Sequence, residues 1–186
     1  MASIFGHALA AASLGSLHPP KEQRLKFYLL GIFCAAFPDA DVLAFSFGIP
    51  YESLWGHRGI THSISFSLIF GILITMIFYR KEALWSRKGI FLILYFSMCT
   101  LSHAILDAMT TGGLGVAFLA PFENSRYFLP WREIQVSPIG ASKFFSEWGL
   151  RVIKSELIWI GIPSLLIFML GFIRRKVIGG PSPGTQ

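Results

Sequence analysis

Seven ionisable residues lie inside or at the edge of apolar stretches, where each is costly and therefore needs a partner. They are His7; Asp39 and Asp41 in Pro38-Asp39-Ala40-Asp41; His57 and His62 in His57-Arg58-Gly59-Ile60-Thr61-His62-Ser63; and His103 with Asp107 in His103-Ala104-Ile105-Leu106-Asp107. Four positions apart on a helix, His103 and Asp107 share one face and can grip one ion or two adjacent ions. Imidazole and carboxylate together suit zinc first, or manganese or iron, rather than calcium with its all-oxygen cages. These seven residues are the candidates for holding one to three divalent ions. A metal at such a site activates water at neutral pH, and hydrolysis is the chemistry it would perform. Asp41, where it is not itself a ligand, is then a general base or the group that fixes a ligand imidazole in its tautomer. Arg58, with its forked guanidinium, is the local residue suited to clamp an anionic substrate.

Each residue has a plainer reading as well. His7 alone fits a satisfied helix histidine, and Asp39 and Asp41 fit N-caps of a helix beginning near Val42 after Pro38 breaks the one before. His57 and Arg58 fit an interfacial loop. His18, beside Pro19-Pro20 in a basic turn, reads as a surface histidine.

The elements that must position these residues are set by composition. Of the 186 residues, 53% are hydrophobic and 14% charged, against about 25% charged in soluble domains. The apolar runs are Phe27–Phe37, continuing past Pro38 to about Phe47; Ile64–Tyr79; Gly89–Leu106; and Leu157–Ile173. The expected fold is an all-α, polytopic transmembrane bundle of about four spanning helices plus an N-terminal helix over residues 2–17. That first stretch lacks the basic residues of a signal peptide and reads as retained. Residues 1–177 form one expected domain, and 178–186 a disordered tail. Cys34 and Cys99 lie within apolar runs and read as packing residues.

The net charge of +6 does not point to nucleic acid, because the basic residues flank the apolar runs: Lys21, Arg24, Lys26; Arg80, Lys81, Arg87, Lys88; Arg174, Arg175, Lys176. This is the positive-inside pattern, which puts those turns and the C-terminus in the cytoplasm. Counted from these turns, His7, Asp39, His103 and His62 come out between roughly 16 and 27 Å along their helices, in a common layer of the outer half of the membrane. The segment 108–156, rich in aromatic residues, would roof that layer. Its Arg126, Arg132 and Lys143 read as solvated loop charges, with guiding a headgroup as the functional alternative.

Taken with Gly6-His7, Ala120-Pro121-Phe122, Arg126-Tyr127-Phe128 and Val136-Ser137-Pro138, these motifs resemble, in order, the YdjM-like family of inner-membrane metal-dependent hydrolases, over about residues 3–140. The resemblance implies a helical bundle, hydrolase activity, and His7, Asp39, His57, His62, His103 and Asp107 as the metal ligands. The His103/Asp107 pair also resembles zinc-dependent phospholipase C, which implies cleavage of a phosphoester in a membrane lipid or lipid-linked phosphate. A further implication of the family is a protein partner, the repressor LexA, which no residue here predicts. Two other readings remain open: a transporter of metal ions or protons, and a scaffold in which an ion only ties helices together.

Overall fold

The computed structural model describes residues 1–138 and 144–178. Lys143, and the expected tail from residue 179 onward, lie outside the described residues. The helices are α1 (Ile4–Ser16), α2 (Arg24–Ala36), α3 (Ile64–Phe78), α4 (Arg87–Ala108), α5 (Glu147–Glu156) and α6 (Ile162–Ile178). Among the described residues no extended strand forms, and two isolated bridges, Thr110 with Ile134 and Val116 with Tyr127, order the 109–138 segment. The chain is thus the all-α membrane bundle expected.

Three helical stretches are long and apolar enough to cross a membrane: Arg24–Phe47, Arg87–Ala108 and Glu147–Val177, of 24, 22 and 31 residues. Two shorter apolar helices, α1 and α3, complete the bundle. The first long stretch departs from expectation. Pro38 does not end the helix; from Phe37 to Phe47 the chain tightens into a 3-10 helix, with Pro38 near its start, where its missing N–H costs least. No new helix begins near Val42, so Asp39 and Asp41 are not its caps. The third stretch begins earlier than the apolar run suggests. Glu147–Glu156, expected as loop, is helical, and a π-turn over Leu157–Gly161 joins it to α6.

α1 to α4 alternate in direction, and α5 with α6 forms one further long stretch, so each of these five passes has a basic end and a polar-core end. At the basic end the Lys26 ammonium lies 4.5 Å from the Tyr79 ring centre, and Arg175 donates to the Ser16 carbonyl at 2.6 Å. Inward from there lies an aromatic core of Phe27, Phe70, Tyr95 and Phe96, with the Phe27 and Tyr95 rings stacked at 3.9 Å. Helix α4 is central and packs on α1, α2 and α3.

Apolar surface exerts little pull between helices in lipid, so close approach of backbones must supply the packing. Glycines make that approach possible. A Cβ on Gly31 would lie 2.1 Å from the Tyr95 hydroxyl, and one on Gly71 would lie 2.7 Å from the Ser97 backbone nitrogen. Gly71→Leu should therefore wedge α3 from α4 and destabilise the bundle by about 1–3 kcal/mol, read as a lower melting temperature in detergent. Gly161→Ala, whose Cβ would meet nothing nearer than 3.6 Å, should leave the melting temperature unchanged or raise it slightly.

Candidate metal centre

At the polar-core end the alternating helices deliver their ionisable residues to one place. α1 brings His7, the 3-10 stretch after α2 brings Asp39 and Asp41, the turn before α3 brings His57, Arg58 and His62, and α4 brings His103 and Asp107. In a 3-10 helix residues two apart point in different directions, so the two carboxylates diverge around His62. Asp39 faces His103, with Oδ1 3.3 Å from Nε2. Asp41 faces the other side, with Oδ2 3.2 Å from His62 Nδ1 and Oδ1 2.6 Å from His57 Nδ1.

The tautomers follow from the partners. His103 Nδ1 lies 2.6 Å from the Ala35 carbonyl, which only accepts, so Nδ1 carries the proton and Nε2 has a free lone pair. His62 Nδ1 faces the Asp41 carboxylate and, at 3.0 Å, the Thr61 hydroxyl, which itself donates to Asp41 at 2.7 Å. With its proton on Nδ1, His62 too turns an unprotonated Nε2 inward. The two Nε2 atoms are 3.0 Å apart, and Asp107 Oδ2 lies 3.6 Å from one and 3.9 Å from the other.

One donor atom from each of Asp39, His62, His103 and Asp107 lies within 4.8 Å of every other. Ligands at about 2.0–2.2 Å from a tetrahedral zinc are separated by about 3.3–3.6 Å, close to the spacings above. The buried atoms His7 Nε2 and Asp39 Oδ1 have no hydrogen-bond partner among the described residues, and Asp107 Oδ2 is met only by ion-pair contacts, with Arg58 Nε at 3.0 Å. Converging lone pairs and these underused acceptors fit a divalent cation. A second group, Asp41, His57 and His62, shares His62 with the first.

His7 sits across Asp107 from His62. Its Nε2 is 3.5 Å from Asp107 Oδ1, and its ring stacks on His103 at 3.7 Å. Charge adds to the demand for a cation: Asp39, Asp41 and Asp107 face the buried guanidinium of Arg58 and the Met1 ammonium, 3.9 Å from Asp107 Oδ2, which leaves negative charge over.

Arg58 is used differently from the anion clamp expected of it. Its side chain is fully buried: Nε lies 3.0 Å from Asp107 Oδ2, while the terminal nitrogens donate to the Gly112 carbonyl and the Thr110 hydroxyl, each at 3.0 Å. All three guanidinium nitrogens are thus engaged inside the protein. Its backbone takes φ +62°, a left-handed conformation that costs about 1–3 kcal/mol for a non-glycine residue, and its N–H reaches Asp41 Oδ2 at 3.1 Å.

Arg126 is not the solvated loop charge expected. It is partly buried and staples the loop that carries His57, donating to the His57 and Tyr51 carbonyls at 2.8 Å. Arg132 donates to the Thr110 carbonyl at 3.0 Å and covers the Phe128 ring.

One residue escaped the sequence reading. Glu156, buried at the end of α5, accepts from both the backbone N–H and the hydroxyl of Ser3, each at 2.5 Å. Ser3 is the N-cap of α1, so Glu156 anchors the helix that holds His7 one turn further on. Gly6 completes the docking, since a Cβ there would lie 2.9 Å from Ile160 and 3.1 Å from the Glu156 carboxyl carbon. The available signal was a lone Glu immediately before an apolar run.

A bundle of apolar helices enclosing an imidazole and carboxylate cluster defines a polytopic membrane protein with a buried candidate metal centre. The chain belongs to the YdjM inner membrane protein family, which matches residues 1–178. It is similar to "Inner membrane protein YbcI" of Escherichia coli (strain K12), at 37% identity over 177 residues, covering 95% of this chain and all of that protein. No solved structure matches.

With both its oxygens occupied, Asp41 acts on the centre by holding His57 and His62 in place. Removing such an orienting partner typically weakens metal affinity 10–100-fold. Asp41→Asn should do so in competition with a chromophoric chelator, and affinity equal to that of the native protein would show that the imidazoles do not depend on it.

Proposed function

We propose that the protein is a membrane-embedded metal-dependent hydrolase that cleaves a phosphoester in a phospholipid or lipid-linked phosphate. The observation that carries this reading is the pair of unprotonated Nε2 atoms of His62 and His103, 3.0 Å apart and flanked by Asp39 and Asp107. Two lone pairs at that distance repel unless a cation or proton lies between them, and both second nitrogens are committed elsewhere. Asp39, His62, His103 and Asp107 would hold the ion, zinc first, with His7 and His57 as ligands to the ion or to a neighbour. A divalent metal bound there lowers the pKa of water toward 7 and polarises a phosphoryl oxygen.

The residues of the chain do the rest. Asp41 and the Ala35 carbonyl fix the imidazole tautomers. Arg58 offsets part of the negative charge and pins Asp107. Asp39 is the ligand with access, its side chain 15% exposed where those of His62, His103 and Asp107 are 0% exposed. It lies on the 3-10 stretch among exposed Ala40 and Leu43. A substrate reaching the centre there comes past apolar surface, which suits a lipid. The basic turns are placed on the cytoplasmic side and the centre toward the outer face, following the charge bias. LexA as a partner rests on the family resemblance alone.

A structural ion is the second reading, favoured by the fact that four converging donors suffice to close a tetrahedral shell. Elemental analysis of detergent-purified protein should find at least one transition-metal ion per chain, and His103→Ala should lose most of it. The native protein should also release phosphate or headgroup from bilayer lipids, and the variant should not. Metal without turnover would leave the structural reading; neither metal nor turnover would remove both.

A further inference from the structure

At the opposite end of the bundle from the metal centre, the turn between α1 and α2 and the end of α6 enclose a recess of about 610 Å³. Its polar lining is His18, Lys21, Arg24, Arg174 and Arg175, with no acidic residue among the lining groups. The recess exists because α6 runs close against the end of α1: a Cβ on Gly171 would lie 2.5 Å from the Ser16 carbonyl oxygen. That approach lets Arg175 bond the same carbonyl, and it swings Arg174 over the turn that carries Lys21.

Four cationic side chains around one recess repel one another, and no carboxylate among the described residues pairs with any of them. Lys21 and Arg174 make no side-chain bond among the described residues, and Arg24 uses only Nε, toward the Pro20 carbonyl at 3.1 Å. α2 adds its own positive end, for its N-cap, Gln23, supplies no side-chain bond to the first-turn N–H groups. The site therefore wants an anion with several acceptor oxygens. Beside the cations the surface turns at once to hydrocarbon, since Leu25 is 72% exposed and Ile173 53% exposed. A basic recess bordered by bare apolar helix at a membrane surface matches a lipid phosphate with its acyl chains alongside.

We propose that this recess binds the phosphate of an anionic phospholipid, with Lys21, Arg24 and Arg174 as the contacting groups and Arg175 as the residue that holds the recess open. The site is separate from the metal centre and does not depend on a hydrolytic function. In delipidated, detergent-purified protein, phosphatidylglycerol binding followed by native mass spectrometry should exceed phosphatidylcholine binding by at least about tenfold. The double variant Lys21→Gln/Arg174→Gln should weaken phosphatidylglycerol binding about 30-fold, with phosphatidylcholine binding and metal content unchanged. If the double variant does not fold, Arg174→Gln alone should weaken it about fivefold. Equal binding of the two lipids, or unchanged binding in the folded variants, would overturn the proposal. So would displacement of phosphatidylglycerol by millimolar inorganic phosphate that itself binds as tightly, because the occupant would then be a free anion.

Discussion

Three carboxylates, Asp39, Asp41 and Asp107, are gathered in a region where the surrounding solvent is lipid and the protein sets against them the Arg58 guanidinium and the Met1 ammonium. Desolvating an ionised carboxylate costs several kcal/mol even after relaxation, so such a cluster persists only if the remaining negative charge is met. A fixed divalent ion meets it with no further cation from the chain. Much of the local architecture serves that balance. Asp41 is saturated by His57, Thr61 and the Arg58 N–H, and Asp107 is shared between Arg58 on one side and three imidazoles on the other. Two imidazoles turn their lone pairs to a common point because their other nitrogens are already held.

Holding these groups to a few tenths of an ångström requires a frame that does not slide. The other half of the bundle provides it through the close approach of Gly71 to the α4 backbone, the seating of Tyr95 against Gly15 and Gly31, and the stacked rings of Phe27 and Tyr95. Irregular backbone gathers at the centre, in the 3-10 stretch, the left-handed Arg58 and the 109–138 segment, with the π-turn over Leu157–Gly161 and the left-handed Gln23 of the basic turn outside it. Non-helical backbone is tolerated at membrane depth where protein buries it and its polar groups find partners. Arg126 and Arg58 supply those partners by donating into the loop carbonyls.

What the sequence made legible were the residues whose cost is visible in one dimension. His7, Asp39, Asp41, His62, His103 and Asp107 stand out because each interrupts or borders an apolar run, and counting along the helices from the basic turns already puts His7, Asp39, His62 and His103 in a layer. The fate of Arg58 was not legible. Whether a guanidinium faces a substrate or is consumed by Thr110, Gly112 and Asp107 depends on where a chain segment fifty residues away folds back. Helix α5 was hidden for a related reason: Glu147–Glu156 carries Glu, Arg and Lys, so its amphipathic pattern lies below a search for apolar runs. The 3-10 continuation past Pro38 was half visible, as an apolar run that did not stop where a proline should have stopped it.

Glu156 gives the clearest view of how distant parts of the chain share the centre. α1 holds His7 but is only 13 residues long, and short isolated helices are marginal. Its N-terminal cap is fixed by Glu156, from a helix that follows the whole irregular 109–138 segment, and its C-terminal carbonyl at Ser16 is fixed by Arg175 from the same long helix. The first helix is thus clamped at both ends by the last one. α5 and α6 help in this way to hold His7 against Asp107 and its ring on His103, beside the packing of α1 on α2 and α4. The core pair His62 and His103, with Asp39 and Asp107, needs only α2, α3 and α4. This division separates the group able to grip an ion by itself from the residue that encloses it.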